Sequence, residues 1–192
     1  FLSLLTFLVF GALIAKEVES GATREWIVSL SSESWIGRIA AVAVSLLGIL
    51  VLFGGVQSAR AIVSDTFVNR AVVEYERTQD ARVASRSIAL AVMVLPNNDR
   101  AHRAGVELGF LQLSKMISEG GDSEEMRVQL QATLNATIQH GLAAVSIEDR
   151  NYQNWLTLAR LYGELAGVGV DGAETSARDA YAKVQKNNPT SP

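Results

Sequence analysis

The stretch NYQNWLTLARLYGELAG, residues 151–167, decides the fold of the C-terminal part of the chain. Its residues Trp155, Leu158, Ala159 and Tyr162 recur at steps of three and four, which places them on one face of an α-helix. A helix with one apolar face buries that face against a neighbour. The spacing therefore predicts a packing role for Trp155, although its polar neighbours alone would also suit stacking on a sugar.

A second helix is predicted downstream, where Ala177, Tyr181, Val184 and Pro189 follow a break. The two helices together resemble the tetratricopeptide repeat. In that family a first helix carries a bulky residue, Leu, a small residue and an aromatic, and a second helix ends before a Pro. The resemblance implies antiparallel helix pairs that stack into an array. One departure is a Gly-rich insertion, because Trp155 and Ala177 lie 22 residues apart where the family pattern has about 16.

The same pattern extends backwards from residue 151. The stretches MVLPNNDRA, SIEDRNYQ and KVQKNNPTSP each end one helix, and the first two start another. They divide the predicted repeat domain, residues 60–192, into units of about 64–98, 99–150 and 151–192. In the middle unit, Asp122 and Glu125 have capping-box spacing and predict a new helix. The predicted buried stripe of that helix is Met126, Leu130, Leu134, Ile138, Leu142 and Val145. The predicted repeat positions are Phe67, Ala71, Pro96, Ala136, Ala143, Trp155, Leu158, Ala159, Tyr162, Ala177, Tyr181 and Pro189.

The N-terminal part of the chain is predicted to lie in a membrane. Residues 1–15 and 39–59 contain no charged side chain, and about 20 apolar residues are needed to span a bilayer. Trp26 and Trp35 suit the two membrane interfaces. The predicted membrane region covers residues 1–59, with a helix over 1–15 that is truncated at its start, an interfacial loop over 16–37 and a helix over 38–59. The alternative is that both runs are buried helices of a soluble core. Because the chain starts at Phe1 within an apolar run, it is expected to be a fragment of a longer protein.

The order of the segments carries a second, broader resemblance. Two membrane helices, then NYQNWLTLARLY, the loop GVGVDGA and ARDAYAKVQKNNP, are similar to the C-terminal end of a class of bacterial membrane proteins. In that class an O-antigen ligase or polymerase-like membrane domain precedes tetratricopeptide repeats. The resemblance implies an integral protein of the bacterial inner membrane, with any glycan-transfer chemistry upstream of this chain. A small bias in Lys and Arg favours a cytoplasmic repeat domain.

No catalytic, cofactor-binding or metal-ligating residue is predicted. The absence of cysteine excludes disulfides and thiolate metal sites, and a net charge of −3 gives no footprint for nucleic acid. GVGVDG at 167–172 matches a dinucleotide-binding motif, but a helix precedes it where the motif needs a strand. His102 and His140 lack further ligands at metal-binding spacing and are expected to be core or groove-edge residues.

The candidate functional surface is the concave groove of the repeats, which the resemblance places along the first helix of each pair. The leading hypothesis is a membrane-anchored module that binds or organises a protein partner. The alternative is the tail of a membrane glycan ligase or polymerase, and self-association is a third interpretation. The null hypothesis is that the groove carries ordinary solvated charges. The predicted groove residues are Asn69, Arg100, Arg103, Glu107, Gln153 and Arg160.

Overall fold

The computed structural model describes residues 35–120 and 123–189, and every regular element within these ranges is an α-helix. The prediction of an all-α chain is thus confirmed for these residues. The chain divides into two compact units between Gly54 and Gly55, close to the predicted boundary after residue 59. The helices are α1 (Trp35–Thr78), α2 (Ala81–Val94), α3 (Asp99–Glu119), α4 (Glu124–Ile147), α5 (Tyr152–Gly167) and α6 (Ala173–Asn187).

The described part of the first unit, residues 35–54, belongs to α1. Its large apolar side chains are exposed on all sides, from 57% at Ile39 to 72% at Leu52. Within the described residues, α1 is the one helix that is long and apolar enough to cross a membrane. Leaving such side chains in water forgoes about 1.5–3 kcal/mol each, so a lipid environment fits this segment. The predicted first membrane helix lies outside the described residues.

In the second unit, residues 55–189, each helix runs antiparallel to the next. Ser64 Oγ of α1 donates to the Ala91 carbonyl of α2 at 2.9 Å, while further along α1 Glu74 accepts from Ser87 at 2.6 Å. The glycines of α3 lie against α4, and Asn154 of α5 donates a hydrogen bond to the C-terminal end of α4. These contacts show that α3 and α4, and likewise α4 and α5, are antiparallel. The short connections leave no other course for consecutive helices that pack together.

Alternate helices are parallel as a result. Arg100 Nη2 of α3 donates to Asn69 Oδ1 of α1 at 2.8 Å. Asn151, the N-cap of α5, donates to Asp99 Oδ2 of α3 at 3.0 Å. In the second unit α1, α3 and α5 therefore form one layer, and the N-terminal ends of α3 and α5 lie side by side.

Two hydrophobic clusters hold these layers together. The first, here called the alanine cluster, joins α1, α2 and α3. The second, the leucine cluster, joins α3 through α6, and Trp155 and Tyr162 pack against it while remaining partly exposed. The alanine cluster consists of Val68, Ala71, Ala81, Ala84, Ile88, Ala91, Ala101 and Leu108. The leucine cluster consists of Val106, Val145, Leu158, Leu161, Leu165 and Ala173.

The helix breaks coincide with the predicted stretches. Helix α2 ends at Val94, α4 at Ile147 and α6 at Asn187. Side-chain oxygens of Asp80, Asn98, Ser123 and Asn151 accept backbone N–H groups at the starts of α2 to α5, which satisfies donors that a helix leaves unpaired. Ser123 caps α4, and its Oγ accepts from the Met126 N–H at 3.2 Å. Asp122 of the predicted capping pair lies outside the described residues.

The predicted repeat position Ala136, a small residue that would let two helices approach closely, is exposed. Thr137, one residue later, is 1% exposed and faces Gly109 of α3. One residue turns a helix by about 100°, so the two positions lie on different faces. Glycine in α3 admits the larger Thr137, and therefore α4 did not need an alanine at the contact.

The predicted buried stripe of α4 is only partly covered. Val145 is buried, but Leu142 is 41% exposed, and the remaining members are half-buried. Helix α4 has 24 residues and α5 has 16, so the first turns of α4 extend beyond the helix that would cover them. The stripe prediction was therefore too extensive.

The other predicted repeat positions are divided between core and surface. Tyr181 is 46% exposed, because α6 is the last described helix and no later helix covers its outer face. Pro96 and Pro189 lie in turns and are exposed. Buried positions are Ala71, Leu158, Ala159 and Ala177; half-buried positions are Phe67, Ala143, Trp155 and Tyr162; exposed positions are Pro96, Ala136, Tyr181 and Pro189.

Candidate functional site

A groove of about 580 Å³ runs along the layer formed by α1, α3 and α5. Its floor is apolar and receives side chains from all three helices. Charged and amide groups stand around this floor. The apolar lining residues are Val68, Ala71, Val72, Tyr75, Ala104, Leu108, Leu111 and Leu156, and the polar ones are Arg100, Arg103, Glu107, Gln153, Thr157 and Arg160.

A second hollow of about 360 Å³ continues the groove between the middle of α3 and the C-terminal half of α5. Both hollows are lined by Glu107, Leu111, Thr157 and Arg160, so they form one surface. The second hollow adds the acidic side chain of Glu164 and the aromatic ring of Phe110. The whole groove therefore has an apolar floor with cations nearer the N-terminal ends of the helices and carboxylates further along.

Five of the six residues predicted for the groove line it. The sixth, Asn69, lies beside it on α1 and accepts the hydrogen bond from Arg100. Arg100 also lies 3.9 Å from Asp65 Oδ1. These contacts hold Arg100 against α1 and orient its guanidinium at one end of the groove.

Arg103 is engaged in a network within the protein. Its Nη1 donates to Asp99 Oδ2 at 2.8 Å and to Asn154 Oδ1, and its side chain is only 18% exposed. Asn154 is fully buried and donates from Nδ2 to the carbonyls of Ala144 and Glu148, each at 2.9 Å. Arg103 therefore fastens α3 to α5 and to the end of α4. A substitution there would disturb the fold before it could report on a partner.

The carboxylate in this network is held in its charged form. Burial alone would raise the pKa of Asp99, but the Arg103 guanidinium and the amides of Asn154 and Asn151 together lower it below the usual value. A charge-assisted hydrogen bond of this kind is stronger than a neutral one. The charged network thus stabilises the N-terminal end of the groove at neutral pH.

Other charged groups of the groove remain unpaired. Arg160 is exposed, and neither it nor Glu107 nor Glu164 has a side-chain hydrogen bond or ion pair within residues 35–120 and 123–189. Their charges are consequently open to a ligand. Arg160 lies between the two hollows and is the cation best placed to meet an acidic group of that ligand.

His102 and His140 form a direct pair behind the groove. Their Nδ1 atoms lie 3.0 Å apart, and His102 Nε2 lies 3.0 Å from the Pro96 carbonyl. A carbonyl only accepts, so Nε2 of His102 carries the proton, and in the neutral pair His140 Nδ1 donates to His102 Nδ1. Burial, and then the neighbouring His102, lower the pKa of His140.

His140 of this pair lines one side of a third hollow, of about 360 Å³, between α2, α3 and α4. No group of three or more candidate metal ligands occurs among the residues that the structure describes. The His140 ring packs tightly against α3, because a Cβ on Gly105 would lie 2.9 Å from the ring. The pair thus joins α3 to α4 as a packing contact.

Trp155 and the glycine-rich loop also belong to the scaffold. The Trp155 indole N–H donates to the Asp149 carbonyl at 2.7 Å, and Lys183 Nζ lies 5.8 Å from the ring centroid. The loop after α5 joins two helices, and Gly169 and Gly172 adopt positive φ values of 81° and 75°. Glycine adopts this conformation readily. The surroundings of the loop are those of a helix connection.

The groove contains several residues that sequence reasoning did not identify. Tyr75, Leu111, Leu156 and Thr157 line it, and buried Asn154 shapes its end. Leu111 lies three to four residues from Leu108 and Glu107, a spacing that could have indicated it. No protein-family model matches the chain, and no curated protein matches it in sequence.

Proposed function

We propose that the chain is a membrane-anchored module that binds a segment of a protein partner in the groove between α1, α3 and α5. The observation that carries this proposal is an apolar floor bordered by unpaired charges on one surface. Apolar burial supplies most of the affinity in such a site, and charged groups supply orientation and selectivity. The fitting ligand is an amphipathic segment with apolar side chains for Leu111 and Leu156 and an acidic side chain for Arg160.

The repeat architecture is part of the same proposal. The parallel course of α1, α3 and α5, each followed by an antiparallel partner, supports a tetratricopeptide-like array. Repeats of this type stack into a continuous core and offer an extended concave surface. The long α3–α4 pair, with 21 and 24 residues, is the main departure from a uniform repeat.

The membrane anchor is the second part. The exposed apolar segment of α1 supports one spanning helix, and the uncharged residues 1–15 suggest a second. The proposed location is the bacterial inner membrane, with the array on the cytoplasmic side. Anchoring would confine the groove to partners that approach the membrane surface.

Peptide binding to the full chain in lipid nanodiscs tests the groove. Peptides are selected from a displayed random library, and their Kd is then measured for each variant. Leu111→Asp and Arg160→Glu should each weaken binding roughly tenfold or more, equivalent to about 1.4 kcal/mol. Arg86→Glu, an exposed change on α2 outside the groove, is the matched control and should leave the Kd unchanged. Equal affinities for all variants, or no selectable peptide, would reject the proposal.

A second copy of the chain is a competing occupant of the groove. Mass measurement of the full chain in detergent over a range of concentrations separates the two cases. A dimer that Arg160→Glu dissociates and Arg86→Glu leaves intact would make the groove a self-association surface. A monomer that retains peptide binding would support the proposed partner site.

A further inference from the structure

The end of the first helix pair, where α2 turns towards α3, carries an exposed group of apolar side chains. Met93 is 78% exposed, Ile62 is 68% exposed, and Val63 and Leu90 are each 44% exposed. The exposure of Met93 exceeds that of Leu52, which at 72% is the highest value among the described large hydrophobic side chains of residues 35–54. We refer to Ile62, Val63, Leu90 and Met93 as the apolar end.

Hydrogen bonds place these four residues at one level of the helix pair. Arg60 Nε donates to the Val94 carbonyl at 2.8 Å, and Ser64 Oγ donates to the Ala91 carbonyl at 2.9 Å. Residues 60–64 of α1 therefore lie beside residues 91–94 of α2. Ile62 and Met93 belong to the same short section of the pair.

The apolar residues surround this section instead of forming one flat patch. Ile62 lies two residues from both Arg60 and Ser64, Met93 lies two residues from the buried Ala91, and two residues turn a helix by about 200°. Their side chains consequently point away from the partner helix in opposite directions. A folded protein partner would cover one side, whereas a fluid lipid layer can surround all of them. The geometry thus favours lipid over a protein partner.

The position in the chain gives the same result. This step rests on the proposed membrane anchor, whose apolar residues continue to Val56. Ile62 follows Val56 by six residues on the same helix, or about 9 Å at 1.5 Å per residue. The polar layer on each side of a bilayer is roughly 5–8 Å thick. Arg60, four residues or about 6 Å beyond Val56, therefore falls within the headgroup layer, and Ile62 falls at its outer edge, when Val56 marks the edge of the hydrocarbon.

Arg60 supplies the charge that a headgroup layer requires. Its Nε is bound to the Val94 carbonyl, while its two Nη groups have no partner within the described residues. A guanidinium held in this way can donate two parallel hydrogen bonds to a phosphate. The carboxylate of Asp65, further along α1, interacts with Asn98 and Arg100. Arg60 therefore keeps its positive charge available at the level of the apolar end.

We propose that the apolar end lies at the outer edge of the headgroup layer of a phospholipid bilayer, with Arg60 bound to a lipid phosphate. The contact would fasten the first helix pair at the membrane surface. The rest of the second unit, including the groove, would remain in water.

The absence of cysteine makes single-cysteine labelling a direct test. Met93→Cys is labelled with an environment-sensitive fluorophore in the full chain, which is reconstituted into vesicles of phosphatidylcholine and phosphatidylglycerol. Leu47→Cys, in the apolar segment of α1, and Ala182→Cys, exposed on α6, are the two reference sites. Quenchers carried on lipid headgroups should reduce the Met93 signal and leave the Ala182 signal unchanged, and aqueous iodide should do the reverse.

The reference sites separate the possible failures. Met93 and Ala182 labels that behave alike, while deep lipid quenchers reach the Leu47 label, would overturn the inference and retain the anchor. A Leu47 label beyond the reach of lipid quenchers would reject the anchor and this inference together. A Met93 label shielded from iodide but not quenched by lipid would indicate a protein cover, and would also overturn it.

Arg60→Gln tests the phosphate contact, with Arg86→Gln as the control of equal charge change. Headgroup quenching of the Met93 label should weaken in Arg60→Gln alone, with unchanged circular dichroism. Equal quenching in both variants would overturn the assignment of Arg60.

Discussion

The alanine cluster and the leucine cluster hold similar helices together in different ways. Five of the eight buried residues in the alanine cluster are alanines. Four of them belong to α2 and α3, and one belongs to α1. The leucine cluster relies on Leu158, Leu161 and Leu165 of one helix. Small side chains let helix axes approach closely and leave no room for a larger side chain, whereas leucines bury more area and leave a cavity when truncated.

Polar contacts reinforce this difference. Beside the alanine cluster, buried Ser64 accepts a hydrogen bond from Asn98 at 2.8 Å and donates to Ala91. Beside the leucine cluster, buried Asn154 joins α5 to α4 and to Arg103. Neutral hydrogen bonds contribute about 0.5–1.5 kcal/mol net. Their main effect is to select one register for helices whose apolar faces alone would permit several.

Truncation should have its largest effect in the leucine cluster. Leu158 is 2% exposed, and Leu158→Ala is expected to lower the free energy of unfolding by about 2–5 kcal/mol. Urea unfolding of the full chain in detergent, followed by circular dichroism, measures the change. Leu142→Ala, at a 41% exposed site of α4, should lower the free energy of unfolding much less. Equal losses would remove the distinction between core and surface in this region.

Enlargement should be the damaging change in the alanine cluster. Ala84 is fully buried, and Ala84→Leu is expected to lower the free energy of unfolding by about 1–3 kcal/mol through overpacking. Ala182→Leu, at an exposed position of α6, should have a free energy of unfolding within about 0.5 kcal/mol of the wild-type value. A stable Ala84→Leu protein would show that α1 and α2 can separate without loss.

The glycine contact between α3 and α4 lies between the two clusters. A Cβ on Gly109 would clash with Thr137 Oγ1, so Gly109→Ala combines overpacking with a helix-propensity gain of about 1 kcal/mol. We expect a net loss of roughly 1–2 kcal/mol, largely restored by adding Thr137→Ala. Gly163→Ala, with nothing within 4 Å, should instead stabilise the protein. A stabilised Gly109→Ala protein would contradict the tight contact.

The histidine pair should give the smallest effect, as a dependence on pH. The lowered pKa of His140 means that the unfolded chain binds its proton more readily than the folded chain. The contribution of His140 to stability is therefore complete above pH 6.5, its usual pKa, and is lost as pH falls from there towards the lower pKa of the folded state. His140→Asn should flatten this loss, while the contribution of Asp99 disappears only below 3.8. A pH profile identical in His140→Asn and the wild type would contradict the assignment.

Much of the fold was predictable because its signals are local. The recurrence of Leu158, Ala159 and Tyr162 indicated a helical face, and Asn98 and Asn151 capped helices at the predicted breaks. The face positions on α3 and α5 also led to most of the groove, because parallel helices present equivalent positions to the same surface. The function assigned to that surface remains a prediction.

The sequence by itself determined the helices, their breaks and the apolar segment of α1, because periodicity, capping and hydropathy act within a few residues. Only the tertiary structure decided that Thr137 replaces Ala136 at a contact, that Arg103 is committed to Asp99 and Asn154, and that His102 meets His140. Each of these results depends on which residue a distant helix brings opposite. A difference of one residue rotates a side chain by about 100°, which is enough to move it from the core to the surface.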